Sequence, residues 1–176
     1  MAVIVLGAEW GDEGKGKLVD ILTKDAKLVA RAQGGNNAGH TISLNGKSDH
    51  FHLLPSGLMS PTCQSLISSG VIVHILSFFK ELTDLKAKGL KNVRDQVKIS
   101  DYCHISLNVY SLVDGLEEAE LGKDGIRITK HGIRLAYSTK ASRSGIRICN
   151  IFNKKRFDYK IRVIANSYKK RSSDPL

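Results

Sequence analysis

The sequence predicts an α/β protein with a mainly parallel sheet flanked by helices, and three observations carry that prediction. Short apolar runs alternate with segments of helical spacing along the chain. Two glycine-rich loops, at residues 7–17 and 33–41, each follow an apolar run, where an open parallel sheet presents its ligand-binding loops. Asn45-Gly46 sits between two strand-like segments, a strong type I′ hairpin signal.

The elements follow in order. Val3-Ile4-Val5-Leu6 reads as a buried strand feeding the first loop, and Lys17-Leu18-Val19-Asp20-Ile21-Leu22 as the helix after it. Lys27-Leu28-Val29-Ala30-Arg31 reads as a second strand that runs into the second loop. Residues 42–44 and 49–53 form the hairpin arms. Residues 66–73 are a mostly apolar strand interrupted by Ser68-Ser69-Gly70. Leu76, Phe79, Leu82 and Leu85 recur at helical spacing over 76–88, closed by Gly89. Val97-Lys98-Ile99 is a short strand, 109–121 is helical, and there is no internal repeat.

Composition bounds the rest. At 176 residues the chain has room for one domain with its own core. A hydrophobic content of 41% and a mean hydropathy of −0.16 are those of a soluble globular protein. No apolar run approaches the ~20 residues of a membrane span, so no membrane association is expected. No basic segment precedes the apolar residues at 2–6, which fits a strand and not a signal peptide. Cys63, Cys103 and Cys149 are odd in number and lack CxxC spacing, so neither a disulfide framework nor a zinc site is indicated, and a cytoplasmic location is expected.

The formal charge of +10 is uneven: residues 150–176 hold eight basic residues against Asp158 and Asp174. Phe152, Phe157, Tyr159 and Tyr168 lie among those basic residues, as stacking platforms for bases would. No nucleic-acid motif accompanies them. A solvated or disordered end is therefore preferred over a nucleic-acid partner.

The first loop carries phosphate chemistry of an unusual kind. A glycine-rich turn that opens a helix points backbone N–H groups at an anion. Asp12 and Glu13 inside it cost energy beside phosphates unless a cation or a proton transfer offsets them. Gly14-Lys15 has Glu9 where a Walker A loop needs its first Gly, and Gly16 where it needs Ser or Thr. The dinucleotide fingerprint fails as well, with Val19 in place of its third Gly. In the second loop Gly34, Gly35 and Gly39 permit close backbone approach, and Asn36 and Asn37 can each donate and accept hydrogen bonds. Asp12, Lys15 and His40 together supply a base, a phosphate-holding cation and an imidazole, a set suited to phosphoryl transfer.

Residues 7–17 and 33–41 together resemble the adenylosuccinate synthetase family. The resemblance continues through Phe51-His52-Leu53-Leu54-Pro55-Ser56-Gly57, Ile99-Ser100-Asp101 and the segment 137–149, and covers residues 1 to about 152. It divides the chain into a family-like region, 1–152, and a basic unrelated tail, 153–176. It implies an incomplete P-loop-NTPase-like domain with a β-hairpin, and a ligase that joins IMP and aspartate at the expense of GTP in AMP biosynthesis. Asp12 matches the base that takes the N1 proton of IMP, so that O6 attacks the γ-phosphate; His40 matches the group that stabilises the transferring phosphoryl. Aspartate then displaces phosphate from 6-phosphoryl-IMP.

The resemblance implies Mg²⁺ held by Asp12 and the carbonyl of Gly39. It assigns GTP contacts to Gly11, Asp12, Glu13, Gly14, Lys15, Gly16, Lys17, Gly39, His40 and Thr41. It assigns IMP contacts to Asp12, Glu13, Gly14, Lys15, Asn37, Ala38, Gly39, His40, Thr129 and Arg143, the last reaching a partner's IMP across a homodimer interface.

The chain also departs from the family pattern. Glu9 replaces Gln, Ser68-Ser69-Gly70 replaces Gly-Asn-Gly, and Tyr102-Cys103 replaces Arg-Ala. Arg127 and Arg134 replace glycines, a change that disrupts a loop wherever the glycine needs positive φ. Family enzymes are more than twice as long, so aspartate binding and guanine selection lie outside this stretch. The alternative expectation is a catalytically inactive remnant that binds nucleotide weakly or pairs with a full-length enzyme.

Overall fold

The structure, a computed structural model, describes residues 1–8, 14–37, 39–44, 47–121 and 131–173. Helix α1 (Lys15–Leu22) is followed by strand β1 (Leu28–Arg31) and the hairpin β2 (His40–Leu44) and β3 (Lys47–Phe51). Strands β4 (Gln64–Ile67) and β5 (Ile72–His74) lead into α2 (Ile75–Ala87), α3 (Val93–Gln96) and β6 (Val97–Ile99). Strand β7 (His104–Ser106), then α4 (Asn108–Leu121), α5 (Ile133–Ala141) and α6 (Lys154–Ser173) complete the order. The expected α/β class with parallel pairing holds: β1, β4 and β6 form one parallel sheet in that order, and β5 pairs in parallel with β7.

Two apolar cores result. The first joins Phe51, Leu53, Leu54 and Ile67 to Phe78, Leu82 and Leu85 of α2. The second packs Ile72 and Ile105 of the two-stranded sheet against Tyr110 of α4, Ile133 and Ala136 of α5 and Ile164 of α6. The run at 66–73 is one strand by hydropathy, yet it splits between the two sheets. Ser68-Ser69-Gly70 makes the break, with the Val71 N–H donating to the Ser68 carbonyl at 3.0 Å. A Cβ on Gly70 would stand 2.1 Å from the Ala32 carbonyl oxygen, so this crossing needs glycine.

Several expectations change. Residues 3–6 form no strand, and Val3, Ile4 and Leu6 are exposed. An apolar run becomes a buried strand only beside a sheet edge that accepts it, and no described strand pairs with these residues. On α2 the buried stripe is Phe78, Glu81, Leu82 and Leu85, while Leu76 and Phe79 face solvent. The helical spacing holds: Leu82 and Leu85 are buried as expected, and the N-terminal half of the stripe runs through Phe78 in place of Leu76 and Phe79.

Residues 154–173 are neither solvated throughout nor irregular. They form α6, opened by Asn153, whose Oδ1 accepts from the Arg156 N–H at 3.0 Å. Phe157, Ile161, Ile164 and Tyr168 turn into the second core, and the Tyr168 ring meets Tyr110 edge-on at 5.9 Å. Two of the four aromatics counted as stacking platforms are thus core residues; Phe152 and Tyr159 stay exposed. Arg134 is also accommodated. It sits in the first turn of α5 and pairs with Asp114 (3.2 Å) and Glu117 of α4, which raises its already high pKa, while the positive φ of 69° falls on Gly132. Arg127 lies outside the described residues. So does the turn Asn45-Gly46, although the hairpin register around it, Leu44 opposite Lys47, is described.

Candidate functional site

The first glycine loop enters α1 through Gly14, whose φ of 78° is left-handed and suits glycine at the helix N-cap. The Gly14 carbonyl accepts from Lys17 N at 3.0 Å and Leu18 N at 3.3 Å, so the first turn is closed. The first turn of α1 has no acidic residue, which leaves its positive end unopposed from within the helix. Lys15 is half-buried on that turn, with Gly16 and Lys17 beside it. Gly11, Asp12 and Glu13 lie outside the described residues.

The second loop is fastened from three sides. Arg31, at the end of β1, donates through Nη2 to the Gly35 carbonyl at 2.8 Å, through Nε to Gln33 at 3.3 Å, and through Nη1 to the His52 carbonyl. Burial pushes the Arg31 pKa down, and the charges of Glu81 and Tyr137 pull it back up. The Gly34 N–H donates to the Tyr137 hydroxyl at 2.9 Å, and its carbonyl accepts from Ile72 N at 2.8 Å. A Cβ at Gly35 would stand 2.5 Å from Ile133 Cδ1, and one at Gly39 would stand 2.8 Å from the His52 ring. At Gly35 the neighbours are the buried Ile133 and, at 3.2 Å, the Ile72 carbonyl, so the backbone there is pressed against the body of the protein; at Gly39 the exposed His52 ring would have to turn aside.

Below that loop runs a polar relay. Asn36 donates through Nδ2 to Ser77 Oγ at 3.1 Å; Ser77 Oγ lies 2.7 Å from His74 Nδ1; His74 Nε2 lies 2.8 Å from Asn108 Oδ1. The Ser77 N–H also donates to His74 Nδ1 at 3.3 Å. One proton assignment satisfies every link: Nε2–H donates to Asn108, and Nδ1 accepts from Ser77. Asn36 is only 7% exposed, and its Oδ1 has no partner among the described residues. An orphaned buried acceptor in a glycine loop suits a ligand's donor. Replacing Ser77 by Ala removes the link between Asn36 and His74. The expected cost is about 1 kcal/mol, with faster amide exchange at residues 34–37. Urea unfolding with hydrogen exchange checks both.

The two loops are neighbours through their elements: α1 packs beside β2, the strand that His40 begins. His40 pairs with Phe51 across the hairpin, and the Thr41 hydroxyl lies 2.9 Å from His50 Nδ1. Asn37 and Gly39 lie on the exposed stretch between the relay and β2. The His40 side chain, Ala38 and Thr129 fall outside what the structure describes. Arg143 follows α5, exposed, in a left-handed conformation at φ 61°. That conformation is unusual for a residue with a Cβ.

Sequence reasoning missed three supports of this region. Glu81, Arg31 and Tyr137 all act on backbone groups of the loop or of the segment 52–54. For Glu81 a signal existed: a carboxylate on the apolar stripe of an amphipathic helix implies a buried partner. Among the described residues no group of three or more His, Cys, Asp or Glu could hold a metal. No described helix is long and apolar enough to cross a membrane.

The comparisons with known proteins agree with this geometry. The family model described as adenylosuccinate synthetase matches residues 4–175, through the basic segment. The chain is 54% identical over all 176 residues to the adenylosuccinate synthetase of Pyricularia oryzae, and covers 42% of that protein. It is 53% identical to that of Neurospora crassa, covering 41%. The solved structure of a fully ligated adenylosuccinate synthetase from Plasmodium falciparum superposes with a TM-score of 0.82 at 37% identity, over 92% of this chain and 38% of that one. The chain thus spans about two fifths of the length of the curated relatives it matches. A fastened second glycine loop on an element adjoining α1, a family match across nearly the whole sequence and a shared backbone lead to one assignment: this chain belongs to the adenylosuccinate synthetase family.

Proposed function

We propose that the chain is the phosphate-handling part of a GTP-dependent ligase that joins IMP and aspartate through 6-phosphoryl-IMP. The observation that supports this best is the packing of α1 against β2, which sets the helix entered by the first loop beside the strand entered by the second. In this reading Lys15, Lys17 and the backbone N–H groups of 14–16 hold GTP phosphates, while Asn37, Ala38, Gly39 and His40 contact the nucleotides. Asp12 takes the N1 proton, and His40 stabilises the transferring phosphoryl group. Thr129 contacts IMP, and Arg143 reaches a partner's IMP in a homodimer.

The Asp12 carboxylate and the Gly39 carbonyl are hard oxygen donors of the kind Mg²⁺ takes, and of the two only Gly39 lies among the described residues. When bound, the ion would neutralise phosphate charge beside Asp12. Residues 1–152 carry this site and α6 lies beyond it; a cytoplasmic location suits a purine enzyme.

A second reading has a specific observation behind it. Val3, Ile4 and Leu6 are exposed, and the relatives run more than twice as far. The chain alone is then a binding half without turnover, or pairs with a full-length homologue.

Calorimetry with GTP and IMP, with and without Mg²⁺, tests the first reading on the native chain and on Lys15→Ala. Saturable heat at millimolar ligand is expected, with affinity at least tenfold weaker in the variant. No heat in the native chain overturns it. A coupled assay separates the two readings: GTP- and aspartate-dependent loss of IMP with the chain alone rejects the binding half.

A further inference from the structure

At the corner where β5 runs into α2 stands the relay that joins Asn36 to Asn108. Its two middle members, His74 and Ser77, belong to neither glycine loop. Neither is among the nucleotide contacts that the resemblance implies.

One backbone group sets the polarity of the whole relay. The Ser77 N–H can only donate, and it donates to His74 Nδ1 at 3.3 Å. Nδ1 is therefore the unprotonated nitrogen of a neutral ring, and Nε2 carries the proton. Nε2–H donates to Asn108 Oδ1 at 2.8 Å. Nδ1 has no proton to give, so at 2.7 Å it accepts from the Ser77 hydroxyl. With its hydrogen committed there, Ser77 Oγ can only accept from Asn36, which must turn Nδ2 toward it, at 3.1 Å. The amide is left with one orientation, its Oδ1 on the side away from Ser77 and without a partner among the described residues.

The same corner holds the main chain of the second loop. The Ile72 N–H donates to the Gly34 carbonyl at 2.8 Å, and a Cβ at Gly35 would stand 3.2 Å from the Ile72 carbonyl. A backbone bond, a close backbone approach and the Asn36 amide thus fix residues 34–36 to β5 and the first turn of α2. The amide is the last of these holds before Asn37, which is exposed. His74 also caps α2, but capping needs only Nδ1 and the Ser77 backbone N–H. It needs neither the Ser77 hydroxyl nor a bond to Asn36.

We propose that Ser77 and His74 are positioning residues of the nucleotide site: by fixing the Asn36 amide they set Asn37 for the purine monophosphate. This rests on the reading above in which Asn37 contacts IMP. The GTP contacts of the second loop begin two residues later, at Gly39, beyond the relay's hold. Loss of the relay therefore weakens IMP more than GTP.

Calorimetry with IMP and with GTP, both with Mg²⁺, tests it. Ser77→Ala keeps the backbone N–H that caps α2 and deletes only the hydroxyl. It is expected to bind IMP about fivefold more weakly, the order of one hydrogen bond, with GTP affinity within about twofold of native. Ser77→Thr restores a hydroxyl and should bind both nucleotides as the native chain does. Unchanged IMP affinity in Ser77→Ala overturns the proposal and leaves the functional reading intact. An equal loss for the two nucleotides does the same, because a merely structural role would weaken both alike. No heat from the native chain overturns the functional reading itself, and the proposal with it. Should Ser77→Ala fail to fold, Asn36→Ala cuts the relay at its other end and carries the same expectation. NMR of the His74 ring nitrogens in the native chain gives a further check. The proton of the neutral ring must sit on Nε2; a ring protonated on Nδ1 instead rejects the polarity on which the proposal depends.

Discussion

Glu81→Ala is expected to destabilise the fold by about 3–5 kcal/mol, the largest effect of any single truncation considered. The carboxylate is 7% exposed and accepts three backbone N–H groups in succession: His52 at 2.8 Å, Leu53 at 2.8 Å and Leu54 at 3.2 Å. Alanine leaves all three without that acceptor, and an unpaired buried donor costs about 1–3 kcal/mol. The loss spreads. The same segment offers the His52 carbonyl to Arg31, whose charge Glu81 balances, and Arg31 is what holds Gly35 and Gln33. Glu81→Gln keeps one acceptor oxygen and is expected to cost about half as much. Urea unfolding checks both variants, as a lower midpoint at an unchanged slope. A Glu81→Ala protein within about 1 kcal/mol of native would mean that water takes over the three donors and that Glu81 does not organise the segment 52–54.

Much of this architecture was legible because it is local. The helix at α1, the strand at β1 and the hairpin register each follow from spacing and turn residues within a few positions. The glycine loops announced themselves by composition, and the structure shows why Gly35 is glycine: Ile133 and the Ile72 carbonyl crowd the space a Cβ needs. What was not legible is contact between distant segments. Nothing near Gly34 reveals that Tyr137 bonds to it, a hundred residues away. Nothing in the lysines and arginines of α6 reveals that Phe157, Ile161, Ile164 and Tyr168 form a stripe with a core to meet. The apolar run at 3–6 misled for the converse reason. Its pattern records a preference for burial, and a preference has no effect without a neighbouring edge.

The two cores divide the labour of the molecule. The first stands under the hairpin and the segment that Glu81 organises, so it supports the face where His40 enters β2. The second meets the glycine-loop side through the Tyr137 hydroxyl and the Ile72 N–H, both bonded to Gly34, through Ile133 beside Gly35, and through the Asn108 amide bonded to His74. Ser77→Ala cuts a link on the first side of the relay and leaves Tyr137 in place. Its effect should therefore stay local, whereas the Glu81 change removes the support of a whole segment.

Acid should weaken the protein through His104, and the sign follows from its depressed pKa. The ordinary value is near 6.5, and the folded protein holds the group at about 4. Below pH 6.5 the unfolded chain takes a proton that the folded chain refuses. The unfolded state then binds more protons, and stability rises with pH. The contribution is fully present above about pH 6.5 and is lost as the pH falls toward 4. Between pH 7 and pH 5 the loss from this one group is about 2 kcal/mol.

His104→Leu removes the titrating ring and the orphaned Nδ1 together, so its unfolding free energy should fall less over the same interval, by about that difference. Native and variant unfolded in urea at pH 7, 6 and 5 provide the comparison, and parallel curves would show that His104 is not the group responsible.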